Sequence, residues 1–237
     1  MPVAGAGGPV RKRLPDDRTG SGMDTSESTV VAVRDAGDDA VAFDLETPPG
    51  FEAEPGRFVK LTATVDGESE SRFYTVSSPD ALGTFTLTVG FDPEEAGPFS
   101  AYLRDVEAGD TVTFTGPFGQ NYYEGESRVV VVAGGPGIGP AVAIAERALA
   151  DDNEAAVVYR DDALIHEARL AANAAAGADV FVLSGEEPLT DATAAALSGA
   201  DGEQTFVYGF SDFLADAEAA IAAAGFDPDA AKAENFG

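Results

Sequence analysis

The chain has 237 residues, of which 44% are apolar, so it can bury the core of one large domain or two small ones. Its 42 Asp and Glu against 14 Lys and Arg give a formal net charge of -28, which argues against nucleic acid or anionic lipid as a partner. With no cysteine, one histidine and no apolar run near the roughly 20 residues of a membrane helix, we predict no metal site, disulfide or membrane insertion.

The acidic residues are spread along the whole chain, and only three lysines accompany them. This pattern is typical of proteins from a salt-rich cytoplasm, because a screening length of about 3 Å at molar ionic strength makes the self-repulsion tolerable. The alternative is an acidic protein from an ordinary cytoplasm. Either interpretation predicts a cytoplasmic location.

Residues 1–27 are predicted to form a disordered tail. Residues 1–22 are rich in Gly and Pro and hold four basic residues, without the apolar stretch of a signal peptide. Met23 is a second candidate for the natural start of the chain.

Residues 28–125 have the pattern of an antiparallel β-barrel. Short apolar segments alternate with turn signals such as Asp66-Gly67 and Gly109-Asp110, and one short helix is predicted over Phe99–Asp105. Strands at this spacing predict a closed or nearly closed barrel. The predicted strands are Thr29–Arg34, Ala40–Glu46, Arg57–Thr64, Ser71–Val76, Thr84–Phe91 and Thr111–Phe114.

Residues 126–237 have the pattern of an α/β domain with a parallel sheet. Nearly continuous apolar strands alternate with helices, which is typical of a sheet covered on both faces. The predicted strands are Val129–Ala133, Ala155–Tyr159, Val180–Leu183 and Thr205–Tyr208. The predicted helices are Gly139–Ala150, Leu164–Ala176, Thr190–Leu197 and Phe213–Ala224.

Two loops and one strand carry the candidate binding residues. A glycine-rich loop, Gly134-Gly135-Pro136-Gly137-Ile138-Gly139-Pro140, follows the first parallel strand and opens a helix, where a pyrophosphate finds free N–H groups. A tight strand-to-helix connection explains the same glycines equally well. On the barrel, strand alternation places Arg72 and Tyr74 on one face, a pairing that suits a phosphate and a planar ring. Gly97-Pro98-Phe99-Ser100 leads into the short helix and is a second candidate anion site.

The order and spacing of these segments resemble the ferredoxin–NADP reductase superfamily over residues 28–237. The motif Arg-x-Tyr-Thr/Ser-x-x-Ser is met by Arg72, Tyr74, Thr75 and Ser78, and the closing Glu-x-Phe by Glu234 and Phe236. Three further segments follow in the family's order: Gly97 to Leu103, Gly116 to Gly119 and Gly134 to Pro140.

The resemblance implies a flavin-binding antiparallel β-barrel followed by a nucleotide-binding parallel-sheet α/β domain. FAD is the implied cofactor, with NADH or NADPH as co-substrate. Tyr74, against the flavin ring, and Thr75, near flavin N5, are the implied catalytic residues. The implied cofactor-binding residues are Arg72, Phe73, Tyr74, Thr75, Gly97, Phe99, Ser100, Gly134, Gly135, Gly137, Gly139, Pro140, Glu234 and Phe236.

Two departures from the family pattern bear on the reaction. The usual Cys-Gly-Pro after the fourth α/β strand is replaced by Tyr208-Gly209-Phe210, which implies slower hydride transfer or a different nicotinamide position. Glu186 and Glu187 follow Ser184-Gly185, where NADP-specific relatives carry an Arg, which favours NADH. Arg160 and Arg169 lie close enough in sequence to keep NADPH open.

The resulting hypothesis is a flavin-dependent NAD(P)H oxidoreductase that passes electrons to ferredoxin, free flavin or a quinone. The alternatives are an electron-transfer subunit of a larger complex and a flavin- or nucleotide-binding module without turnover. The only histidine, His166, is predicted to be an exposed helix residue.

Overall fold

The computed structural model describes residues 25–91 and 97–236. Most of the predicted N-terminal tail, residues 1–24, lies outside the described residues. The predicted tail ended too late, because Ser26 and Glu27 already belong to the first strand and pair with Phe114 and Thr113.

The N-terminal domain is a six-stranded antiparallel sheet with the strand order β4-β3-β6-β1-β2-β5. The core of this domain consists of the inward-facing side chains of the strands, such as the fully buried Phe85, Leu87 and Phe114. Two side chains of a short helix, Phe99 and Leu103, complete this core. The elements are β1 (Ser26–Gly37), β2 (Ala40–Glu46), β3 (Phe58–Val65), β4 (Glu68–Thr75), β5 (Thr84–Gly90), α1 (Pro98–Arg104) and β6 (Thr111–Phe118).

The sheet is barrel-like, as predicted, and is not closed. Its end strands β4 and β5 meet, within the described residues, in a single bridge between Val76 and Leu87. All other ladder pairs of β4 go to β3. Strand β4 therefore keeps most of one edge unpaired within the described residues.

The C-terminal domain is a five-stranded parallel sheet with the order β11-β10-β7-β8-β9. Helices cover both faces, which is why Val129 to Val132 of the central strand are completely buried. The strands are β7 (Arg128–Gly134), β8 (Glu154–Arg160), β9 (Asp179–Leu183), β10 (Glu203–Gly209) and β11 (Lys232–Asn235). The helices are α2 (Ile138–Ala150), α3 (Glu167–Ala175), α4 (Thr190–Ala196) and α5 (Ser211–Ala223), with 3-10 turns at Gly135–Gly137 and Pro228–Ala230.

Two elements of this domain differ from the prediction. Strand β11 was not predicted; its four residues are too few for a periodic signal, and it forms by parallel pairing with β10. Helix α3 begins at Glu167 instead of Leu164, because Ile165 forms a β-bridge with Gly37 of the other domain and His166 has a φ of 57°. The longest helices, α2 and α5, have 13 residues each, and none in the described part of the chain is long and apolar enough to cross a membrane.

Candidate FAD and nucleotide site

Arg72 lies beside the N-terminal half of helix α1, as the anion-site prediction requires. Its guanidinium carbon is 5.7 Å from the centre of the Phe99 ring, and Nη1 donates to the carbonyl of Ser71. The side chain is 57% exposed, and its ion pair with Glu70 is loose at 3.7 Å. A largely uncommitted guanidinium of this kind suits a diphosphate, which accepts charge-assisted hydrogen bonds.

The first turn of α1 is prepared for an anion in two further ways. Gly97 at the N-cap provides no side-chain cap, and the first turn contains no acidic residue. Phe99 is buried and anchors the turn in the barrel core, whereas Ser100 is half-buried. Arg72 and this first turn are therefore the candidate contacts for a diphosphate.

The predicted catalytic pair occupies the two faces of edge strand β4. Tyr74 shares the face of Arg72, and burial raises the pKa of its phenol to about 12, so the hydroxyl stays a neutral donor at physiological pH. Thr75 pairs with Phe58 on the opposite face, which it shares with Phe73. One ligand can contact both Tyr74 and Thr75 only by curving around the unpaired edge of β4.

Phe73 differs from the other residues of the motif. Its side chain is 62% exposed and packs edge-on against Phe58 and Phe118, with ring centres 5.5 and 6.3 Å away. On the face of Arg72 and Tyr74 it therefore offers only its backbone.

The glycine-rich loop is required first of all by packing inside the protein. A Cβ at Gly134 would collide with the Phe213 ring, one at Gly137 with the Tyr208 carbonyl, and one at Gly139 would lie 2.8 Å from Thr88 Oγ1. The tight-connection interpretation therefore explains these three glycines without a nucleotide. Gly135, with a φ of 55°, is half-buried and leaves part of the turn open to a ligand, whereas Pro140 is buried.

Tyr208, which stands where the family has cysteine, points into the junction between the domains. It is fully buried, and its hydroxyl donates to the carbonyl of Asn121 at 2.6 Å. Burial raises the pKa of this phenol well above its ordinary value, so it takes no part in acid–base chemistry. The aromatic ring exposed at the end of β10 is instead Phe210, which is 45% exposed.

The predicted residues of the C-terminus lie next to this exposed ring. Phe236 donates its N–H to the carbonyl of Gly209 at 3.0 Å, and its ring centre is 6.2 Å from that of Phe210 in an edge-on contact. Burial raises the pKa of Glu234, opposed by a hydrogen bond with Asn121. The end of β10 and β11 thus presents an aromatic pair and a half-buried carboxyl group.

His166 was predicted to be exposed, and this prediction is wrong. The ring is 6% exposed, and Nε2 lies 2.7 Å from Thr88 Oγ1 of the barrel. The Thr88 hydroxyl donates to Ser77 Oγ at 2.8 Å, and Ser77 donates to the carbonyl of Thr86 at 3.2 Å. If the Thr88 hydroxyl donates to Ser77, Nε2 is the protonated ring nitrogen and donates to Thr88.

This chain of hydrogen bonds joins the two domains. Burial, followed by the charges of Arg169 and Arg34, lowers the pKa of His166 to about 3, so the ring is neutral at pH 7. The sequence did not predict the burial of His166 because the predicted helix begins at Leu164, three residues before the observed start at Glu167. The one available signal was a lone histidine in a chain otherwise lacking that residue.

The turn after β9 holds the carboxylates that were predicted to select the nucleotide. Glu187 accepts a hydrogen bond from the N–H of Ser184 at 2.7 Å, and Asp162 accepts one from the N–H of Gly185 at 2.8 Å. Both donors are therefore occupied by carboxylates. Arg160 and Arg169, the candidate phosphate partners, are bound to Asp216 and Glu146, each at 2.7 Å.

Comparison with known proteins supports the same two-domain interpretation. The family model described as "Oxidoreductase FAD-binding domain" matches residues 29–123. The chain is 38% identical over 94 residues to a probable dihydroorotate dehydrogenase B (NAD(+)) electron transfer subunit of Methanopyrus kandleri, a match that covers 40% of this chain and 33% of that protein. The chain spans less than half the length of the first curated relatives it matches.

Solved structures share the fold across both domains. The flavohem-like FAD/NAD-binding domain of nitric oxide dioxygenase from Vibrio cholerae has a TM-score of 0.77 at 20% identity, covering 89% of this chain and 98% of that one. A ferredoxin NADP+ reductase from Neisseria gonorrhoeae, with bound FAD and NADP, has a TM-score of 0.75 at 18% identity, covering 90% and 99%. A barrel-like domain that matches the FAD-binding family model and a parallel α/β domain thus follow each other in the arrangement that these solved structures share.

Proposed function

We propose that the chain is a flavin-dependent oxidoreductase that takes a hydride from NADH or NADPH and passes electrons to an acceptor. The observation that carries this proposal is the placement of Arg72, with no tight ion pair, beside the uncapped first turn of α1. This cation lies in the domain that matches the FAD-binding family. FAD, when bound, supplies the redox chemistry, and the chain provides binding, orientation and electrostatics.

The residues divide into groups with different tasks. Arg72 and the backbone of Gly97, Phe99 and Ser100 would hold the diphosphate. Tyr74 would lie against the ring and donate a hydrogen bond, since its pKa of about 12 keeps the phenol protonated. The hydroxyl of Thr75 would face the ring from the other side of the strand edge.

The α/β domain would supply the nucleotide side of the site. The open part of the turn at Gly135 would receive the nucleotide phosphates. Phe236 and Phe210 would flank the nicotinamide at the end of the sheet, where ligands bind in open α/β folds. Tyr208 is buried and cannot replace the family's cysteine there.

A reduction experiment tests the proposal. The purified chain is loaded with FAD, freed of excess cofactor, and mixed with NADH or NADPH without oxygen. Bleaching of the flavin absorbance by either nucleotide is expected. A flavin that stays bound but oxidised would leave only a binding module, and failure to retain FAD would overturn the proposal altogether.

NADH is the proposed physiological donor. The N–H groups of Ser184 and Gly185 are already bonded to carboxylates, and Arg160 and Arg169 are held in ion pairs. A 2′-phosphate would meet negative charge at this turn, whereas a free ribose hydroxyl can donate to a carboxylate. Comparing kcat/KM for the two nucleotides tests this preference.

An electron-transfer subunit of a larger complex is the second candidate function. It is favoured by the 38% identity to the electron transfer subunit from Methanopyrus kandleri. The chain has no cysteine, so it would have to pass electrons without a cysteine-bound cluster of its own. Ferredoxin, free flavin and a quinone remain the proposed acceptors, and steady-state reduction of each by NADH would rank them. A salt-rich cytoplasm remains the proposed setting.

A further inference from the structure

Arg57 is a half-buried cation whose charge has no counterion in the described part of the chain. It stands immediately before β3, and its guanidinium carbon lies 4.6 Å from the centre of the Tyr122 ring. Nε is buried and has no hydrogen-bond partner, and no carboxylate among residues 25–91 and 97–236 forms an ion pair with it. In a chain with 42 acidic residues, this isolation is unexpected.

The contact with Tyr122 does not satisfy Arg57. A cation over a ring gains about 0.5–2 kcal/mol, but the N–H groups at the edge of the guanidinium still require acceptors. A charged donor left buried without an acceptor is costly, and native structures rarely keep one without a purpose. Among residues 25–91 and 97–236 nothing supplies an anionic partner, so the Nε of Arg57 is available to an acceptor on a bound ligand.

Arg57 lies beside the C-terminal end of β4, whereas Arg72 lies in the middle of that strand. The N–H of Val76 donates to the carbonyl of Arg57 at 2.7 Å, and the next residue, Phe58, pairs with Thr75. At about 3.3 Å per residue, Val76 lies roughly 13 Å along the strand from Arg72. Two separate cations thus flank the motif, one near α1 and one near Thr75.

We propose that Arg57 stabilises the negative charge that reduction places on the ring of the bound flavin. This inference rests on the proposed function. Hydride transfer breaks a C–H bond of the reduced nicotinamide, forms an N–H bond at flavin N5, and leaves one negative charge on the ring. A cation near the ring stabilises this charged state relative to the oxidised ring and raises the reduction potential.

The test is the midpoint potential of bound FAD, measured at equilibrium with reference dyes. Two neutral variants are compared, Arg57→Gln and Arg57→Met, of which the second keeps an apolar stem on the Tyr122 ring. In each variant we expect the affinity for reduced FAD, divided by the affinity for oxidised FAD, to be about tenfold lower than in the wild type. This change lowers the two-electron midpoint potential by about 30 mV. Arg57→Lys should restore most of the potential.

Two controls separate charge from packing. Arg104 also lies over an aromatic ring, Phe91 at 4.3 Å, and has no ion pair among the described residues, so Arg104→Gln should leave the potential unchanged. Tyr122→Leu removes the ring under Arg57 and should lower the melting temperature without lowering the potential.

The outcomes distinguish this inference from the proposed function. A wild-type chain that does not retain FAD, or retains it without reduction by NADH or NADPH, would overturn the proposed function. A wild-type chain that is reduced normally, with unchanged potentials in both neutral variants, would overturn the role of Arg57 alone. A lowered melting temperature in those variants would then assign Arg57 to packing against Tyr122.

Discussion

The two domains use their few cations in opposite ways. In the α/β domain, every Lys and Arg of the described residues 128–236 is held by at least one carboxylate at 3.0 Å or less. These residues are Arg128, Arg147, Arg160, Arg169 and Lys232. In the described part of the barrel domain only Arg34 is held as tightly, by Asp44. Arg57, Lys60 and Arg104 have no ion pair there, and Arg72 has a loose one.

This difference supports the proposal that Arg72 contacts the diphosphate of FAD. With acidic residues in threefold excess, an unpaired cation cannot result from a shortage of partners. The barrel domain keeps Arg72 without a tight ion pair beside the first turn of α1, where the proposed diphosphate would bind. In the α/β domain every described Lys and Arg is paired with a carboxylate of the same chain, so none of them is available to a 2′-phosphate without breaking an ion pair.

The largest effect is expected for the pH dependence of stability, through His166 at the junction between the domains. His166 is neutral in the folded protein, with a pKa of about 3, whereas its ordinary value is 6.5. The unfolded chain therefore takes up a proton that the folded chain excludes, so this contribution to stability is present above pH 6.5 and is lost as the pH falls towards 3. At about 1.4 kcal/mol per unit, the loss reaches about 3 kcal/mol near pH 4.5.

The variant His166→Asn isolates this effect, since asparagine tolerates a positive φ and does not titrate. The free energy of unfolding is measured from pH 7.5 to 4.5 for both proteins. The wild type should lose about 3 kcal/mol more than the variant over this range. Parallel curves would show that His166 is not buried at a closed junction.

Substitution of Arg72 tests the proposed diphosphate contact in the barrel domain. Arg72→Ala should weaken FAD binding by about 1.5–3 kcal/mol, the usual range for hydrogen bonds to charged groups. Arg147→Ala is the matched control, because Arg147 is a surface cation paired with Asp151 on the other domain. Calorimetric titration of the apo-proteins gives both affinities, and equal losses in the two variants would reject a specific phosphate contact.

The preference between NADH and NADPH tests the proposed role of the turn after β9 in the α/β domain. A carboxylate about 6 Å from a 2′-phosphate opposes it by about 3 kcal/mol at an effective dielectric constant near 20, before salt screening. In molar salt we expect a preference for NADH below about tenfold, which grows as salt is lowered. A wild-type preference for NADPH would show that this turn does not contact the adenosine end.

Glu186→Arg should reverse this preference towards NADPH. Glu186 is exposed and is a cleaner position than Gly185, where a Cβ would lie 2.6 Å from Asp162 and disturb the hydrogen bond that holds the turn. The readout is the ratio of kcat/KM for the two nucleotides, with Glu218→Arg on helix α5 as a charge-matched control. An equal change in both variants would assign the effect to net charge.

The smallest effect is expected for the dependence of stability on salt, which involves the acidic surface of both domains. Because both domains carry excess acid, raising KCl from 0.1 M to 3 M should relieve self-repulsion and stabilise the folded chain by about 1 kcal/mol or more. For a chain of this size that corresponds to about 2–4 °C in Tm. A Tm that stays flat or falls would remove the halophilic interpretation.

The sequence predicts most of the fold because the signals are local. The apolar run Val129 to Val132, the glycine loop after it and the turn pairs of the barrel determine strands and helices through nearby residues alone. Strand β11 could not be found in this way. Its four residues become a strand only because β10 presents a free edge, and that edge is set by the rest of the sheet.

The candidate site is predicted less completely, for the same reason. The proximity of Arg72 to Phe99 follows from motif order, which the resemblance provided. The glycines of the loop could not be assigned to packing without the positions of Tyr208 and Phe213, which are distant in sequence. His166 and Arg57 matter through partners in other elements, Thr88 and Tyr122, so their surroundings were invisible in the chain.

The proposed contact of Arg72 and the first turn of α1 with a diphosphate can be tested by comparing two affinities. FAD and riboflavin share the flavin ring, but riboflavin has no phosphate. Titration of the apo-chain with each should show FAD binding about a hundredfold or more tightly, the equivalent of about 2.7 kcal/mol from charge-assisted contacts. Equal affinities for FAD and riboflavin would show that Arg72 and the first turn of α1 contribute nothing to binding.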